Sequence, residues 1–145
     1  MNRTQVRAPS QNVTDLDPEI EMRRVIERFD KRLPFLIAEL DEDEPAPTDV
    51  AVQNCRGILR DAALSIPHGY KLRFPDIGST GRGDLLCHWG SKIADLVIYF
   101  APEGEMSVTT LERDRTPEEA RSERARASDC VKAIERYVLL NPPLP

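Results

Sequence analysis

The sequence predicts an α+β domain: an antiparallel meander of three to four strands, packed on one face by helices, in the order α-α-β-β-β-β-α. Three observations point there. Residues 84–112 alternate apolar and polar side chains in three runs, Asp84–Trp89, Ile93–Phe100 and Glu105–Glu112, separated by turn-forming residues. Three other segments, two before the meander and one after it, repeat apolar side chains at helical spacing. The chain has 145 residues, 40% of them hydrophobic, enough for one modest core.

Residues 1–16 are polar with no apolar period and are expected to form a disordered tail, so the domain should span 17–140. The first helix starts at Asp17-Pro18-Glu19, where a capping Asp precedes Pro at the first helical position. Its stripe is Ile26, Phe29, Leu33, Leu36 and Leu40, and Pro34 predicts a kink or a break near Arg32. Residues 41–47 read as a stiff acidic linker. Thr48 or Asp49 then caps a second helix with the stripe Val52, Cys55, Leu59, Ala62 and Ile66, stopped by Pro67-His68-Gly69. Tyr70, Leu72 and Phe74 alternate with Lys71 and Arg73 as a candidate first strand, and Asp76–Gly83 reads as a flexible loop.

In the meander, Gly90-Ser91 suits a two-residue turn with Gly at positive φ, which pairs Trp89 with Lys92, Cys87 with Ala94 and Leu85 with Leu96. Pro102-Glu103 followed by Gly104 suits a type I turn with a bulge, which places Phe100 opposite Met106 and Ile98 opposite Val108. Both registers gather Leu85, Cys87, Trp89, Leu96, Ile98, Phe100, Met106 and Val108 on one face. Asp84, Leu86, His88, Asp95, Val97, Tyr99, Ser107, Thr109 and Leu111 occupy the other. Thr116-Pro117-Glu118-Glu119 predicts the start of a last helix, polar through Ser128 and apolar from Val131 to Val138. Residues 141–145 form a Pro-rich tail.

The stretch Gly83-Asp84-Leu85-Leu86-Cys87-His88-Trp89, with Leu96-Val97-Ile98 and Pro102-Glu103-Gly104, resembles a pattern in small bacterial proteins that have no assigned activity. In that pattern a Gly-Gly, alternating-apolar, Glu-Trp strand leads into a second strand ending in Pro-Asp-Gly. His88 stands here in place of the usual Glu, and Asp84 in place of Gly. The resemblance covers about thirty residues and implies a bacterial source and a meander.

Composition narrows the function classes. Most of the net charge of −5 lies in the run Asp41–Glu44, so the rest of the chain is nearly neutral and exerts no general pull on nucleic acid or anionic lipid. No apolar run approaches the ~20 residues of a membrane span, and no secretory leader is evident, which suggests a cytoplasmic protein. Cys55, Cys87 and Cys130 are odd in number and far apart, so they read as reduced, buried thiols rather than a disulfide framework. His68 and His88 have no Cys or His at ligand spacing, so no metal is expected, and no motif calls for a cofactor.

Two constellations carry potential chemistry. His88 and Asp95 are diagonal neighbours on the mixed face, where a carboxylate could orient an imidazole for general-base work, with Asp84 further along the same face. Gly78–Gly83 could cradle an anion through backbone N–H groups at Gly81 and Gly83 and through Arg82. The loop has no Lys and runs into a strand, so it is not a P-loop. Cys87 adjoins His88 but points to the opposite face, and no nucleophile elbow is present. Arg113, Arg115, Arg121, Arg124 and Arg126 alternate with acids and read as a solvated helix face.

The expectation is therefore a small protein–protein interaction module, antitoxin- or immunity-like, with Leu86, His88, Val97, Tyr99, Thr109 and Leu111 as the binding face. A protein partner is expected, and a homo-oligomer is compatible with the same face. The alternative is a small hydrolase or transferase using His88 and Asp95, with the 78–83 loop holding an anionic group.

Overall fold

A computed structural model describes residues 17–67, 69–112, 114 and 121–141. Within them the chain forms α1 (Pro18–Ala38), α2 (Asp49–Ser65), β1 (Asp76–Gly78), β2 (Leu85–Gly90), β3 (Ala94–Phe100), β4 (Met106–Glu112), β5 (Arg121–Ala125) and α3 (Ala127–Leu140). The strands make one antiparallel sheet in sequence order, β1-β2-β3-β4-β5. The fold is α+β, with five strands in place of three to four.

The helices form where their ends are satisfied. Asp17 accepts a hydrogen bond from the Glu19 N–H at the start of α1, and the Thr48 hydroxyl accepts one from Ala51 N–H at the start of α2. Pro34 lies inside α1, which runs on past it, so of the two expected outcomes the break near Arg32 does not occur. It is exposed, and the turns before and after it hold Phe29 and Leu36 in the core. α2 buries Ala51, Cys55, Ile58, Leu59, Ala62 and Ala63, and α1 is clamped to it by a two-pronged ion pair from Arg56 to Asp30 at 3.0 Å.

The core lies between the inner sheet face and the helices. Leu85, Cys87, Leu96, Ile98 and Phe100 are buried there, and Trp89 is only 2% exposed. The strands alternate buried and half-buried residues along β2 and β3, as period two requires. Cys55, Cys87 and Cys130 are free, buried thiols, with Cys55 Sγ 3.4 Å from Cys87 Sγ. Burial, then the neighbouring Cys87, raises the Cys55 thiol well above its usual range, and burial pushes Cys130 up to about 11.

Three expectations are corrected by tertiary pairing. First, the β2–β3 turn is centred on Lys92-Ile93. Ser91 N–H donates to Ala94 O, and Ser91 Oγ accepts from Ile93 N–H and Ala94 N–H. Trp89 therefore faces Leu96, Cys87 faces Ile98 and Leu85 faces Phe100. The displacement is even, so every side chain keeps its expected face. At the other turn Gly104 has φ +116° and Phe100 faces Met106, as the Pro102-Glu103-Gly104 sequence predicted.

Second, residues 70–75 form no strand. Leu72 is buried and Tyr70 and Phe74 half-buried, so the alternation marks burial, but Pro75 blocks ladder pairing. The segment is tethered instead by the Trp89 indole N–H, which donates to Arg73 O at 2.8 Å. Strand pairing begins at Asp76–Gly78, inside the expected loop.

Third, Arg121–Ala125 is a strand paired with β4, and the last helix begins only at Ala127. Asp129 caps it by accepting from Arg126 N–H. The expected helix start at Thr116–Glu119 lies outside the described residues, as do the 1–16 tail, His68, Arg113, Arg115 and residues 142–145. Arg124 pairs with Glu105 across strands at 3.4 Å rather than with a neighbour one helical turn away.

Candidate functional site: the open sheet face

The packing of α2 and α3 on the inner face leaves the outer face of the sheet without helical cover among the described residues. Period two carries Leu86, His88, Val97, Tyr99, Thr109 and Leu111 onto it, and all six are half-buried against their cross-strand neighbours. One row runs Asp76, His88, Val97, Thr109 and Ser122 across all five strands; the next runs Gly78, Leu86, Tyr99, Ser107 and Arg124. Asp76, Ser122 and Arg124 were missed as members of this face. β1 is only three residues long, and Arg121–Ala125 has no apolar alternation to distinguish a strand from a charged helix.

His88 Nε2 sits 3.2 Å from Asp95 Oδ1, the diagonal contact that both the expected and the observed registers allow. Gly90 lies beneath the pair. A Cβ there would stand 3.0 Å from Asp95 Oδ1 and 3.5 Å from His88 Nε2. The Gly at the end of β2 thus leaves room for this close approach, and its φ is not positive. Among the described residues His88 makes no hydrogen bond to a hydroxyl or thiol, and Cys87 faces the core. The pair can orient an imidazole, but it lies on an open strand surface.

Asp84 is not part of that pair. Four residues along the chain from His88, it is buried and accepts from Ser79 Oγ and Thr80 N–H on one oxygen, and from Thr80 Oγ1 and Tyr99 OH on the other. Burial pushes its carboxyl up, but the hydrogen bonds from Thr80, Tyr99 and Ser79 together outweigh it and hold the group at about 2. The hydrogen bond to Asp84, with burial and then the carboxylate's charge, in turn lifts Tyr99 to about 12. The Tyr99 ring is thereby fixed across the end of the face.

The same cage changes the reading of Gly81, Arg82 and Gly83. The Gly81 N–H donates to Ser79 Oγ, and a Cβ on Gly81 would collide with the Glu44 carboxylate. Gly83 O accepts from Thr48 N–H, and Thr48 Oγ1 donates to Pro102 O, so the loop is bolted to the start of α2 and to the β3–β4 turn. Two carboxylates, Asp84 and Glu44, stand against the loop. The Ser79, Thr80 and Gly81 donors of the loop serve Asp84 and Ser79 Oγ, while Arg82 is exposed beside them. Gly81 and Gly83, with φ +84° and +83°, form the cage's corners.

No group of His, Cys, Asp and Glu among the described residues is arranged to hold a metal ion, and no helix among them is long and apolar enough to cross a membrane. No protein-family model matches the chain, and neither does any curated protein or solved structure.

Proposed function

We propose that the chain is a cytoplasmic protein-binding module whose contact surface is the outer sheet face. The supporting observation is a face without helical cover among the described residues, carrying Leu86, Val97, Tyr99 and Leu111 among Thr109, His88 and Asp95, more apolar than a solvated sheet surface needs. Tyr99, locked by Asp84, is the rigid aromatic anchor that interfaces favour. The exposed acids Asp41, Glu42 and Asp43 precede Glu44, which touches the loop at the Tyr99 end of the sheet. The partner that fits is a protein with an apolar patch bordered by basic groups, as an antitoxin- or immunity-like pairing would supply.

A hydrolase or transferase built on His88 and Asp95 is favoured only by their 3.2 Å contact. A hollow beside α3 is lined by Asp95 but not by His88, and the carboxylates of Asp84 and Glu44 stand against the 78–83 loop.

The test uses the native chain, Val97→Arg, and Lys132→Glu on α3 as baits in lysate of the source organism. The proposal expects one stoichiometric protein with wild type and Lys132→Glu, and its loss with Val97→Arg. Equal capture by all three baits overturns it, as does a wild-type chain that stays alone and monomeric. A concentration-dependent dimer abolished by Val97→Arg would assign the face to a second copy instead.

A further inference from the structure

A cavity of about 440 Å³ opens on the opposite side of the molecule, between α1, the 71–74 segment and the end of α3. Its volume lies in the range of small-molecule sites. The apolar part of its wall includes the half-buried Phe74 ring and an edge of Trp89, which is only 2% exposed. Around these stand Arg24, Arg28, Lys71 and Arg73 against one acid, Glu21, which lies 3.8 Å from Arg24. In a chain of net charge −5 this is a local reversal of sign. Arg28 lies over the Phe74 ring at 4.7 Å and Arg73 donates to Gly90 O, so both guanidinium groups are held in place. Lys71 makes no ion pair among the described residues and is exposed at the rim.

The second observation is independent of charge. Tyr137 belongs to the same wall and is 6% exposed, and its phenolic oxygen is the buried side-chain polar atom with no hydrogen-bond partner among the described residues. A buried hydroxyl left unpaired is costly and is retained where something else completes it. Tyr137 also borders a hollow of about 650 Å³ between α3 and the far strands, but there acids and bases are mixed, so no sign of ligand is selected.

We infer that this cavity binds a small carboxylate with an aromatic body, its ring against Phe74 beside the Trp89 edge, its charge at Lys71, and its polar edge toward the Tyr137 hydroxyl. The site is separate from the outer sheet face and stands without the protein-binding proposal.

The probe is 2-naphthoate, with 2-naphthamide as its neutral counterpart. Trp89 is the single tryptophan, so one indole N–H signal in a ¹⁵N–¹H spectrum reports the cavity wall. A saturable shift of that signal is expected, with naphthoate binding about tenfold tighter than the amide. Tyr137→Phe should fold at least as stably as the wild type, because it removes an unpaired hydroxyl, yet bind naphthoate about threefold more weakly or worse. Lys71→Ala, at an exposed position that does not bear on folding, should weaken naphthoate similarly and leave the amide unchanged. No saturable shift, equal affinity for the two probes, or wild-type affinity in Lys71→Ala overturns the site.

Discussion

Asp84 is a buried carboxylate whose four acceptor positions are filled by residues 79–80 and by Tyr99 from the neighbouring strand. Its carboxyl lies at about 2 instead of 3.8, so the folded-state value is depressed. The stability it contributes is complete above the unfolded value and is lost as pH falls from 3.8 to about 2. The shift is equivalent to about 2 kcal/mol. Asp84→Asn should therefore lose about 2 kcal/mol at neutral pH and flatten the acid limb of stability between about pH 4 and 2. Urea titrations of both proteins across that range check this; an unchanged acid limb would remove Asp84 from the account. Its place in the sequence, directly after Gly83 and before an apolar run, marked a strand entry. That both oxygens would be claimed by Ser79, Thr80 and Tyr99 depended on the loop folding back, which no spacing announces.

The glycines separate two element-scale requirements. Gly57 lies inside α2 with nothing within 4 Å of a built Cβ, so it weakens the helix for no packing reason. Gly57→Ala should stabilise the protein by about 0.5–1 kcal/mol. Gly104 has φ +116°, and a Cβ there would stand 3.3 Å from Val50 Cγ1, so Gly104→Ala should cost about 1–3 kcal/mol. Thermal melts of the two variants should move in opposite directions. The β3–β4 turn was legible because Pro102-Glu103-Gly104 has one good conformation. The β2–β3 turn was not, because Ser91 Oγ stands in for a backbone acceptor and moves the turn two residues along. β5 was illegible for a different reason: its charged residues are good helix formers, and only the free edge of β4 makes them a strand.

At the scale of the whole molecule, helices and sheet share one core, and α1 belongs to it chiefly through α2 and the fully buried Phe29. Phe29→Ala should cost about 3–5 kcal/mol. Unfolding followed by Trp89 fluorescence and by helical circular dichroism should remain coincident in the wild type; separate transitions would show α1 to be an independent unit. The acidic segment 41–47 packs on this same core: Glu44 accepts from Asp41 N–H and packs on Gly81, and Pro47 is buried. The residues on each sheet face, the two long helices and the Gly104 turn were readable from the chain alone, because alternation, helical spacing and turn chemistry are local and each constrains the next few residues. The five-strand extent of the outer face, the carboxylate cage that closes the 78–83 loop, and the cavity beside Tyr137 were decided only by tertiary structure. They join residues distant in sequence, and at those contacts hydrogen bonding and edge pairing override what each segment would prefer by itself.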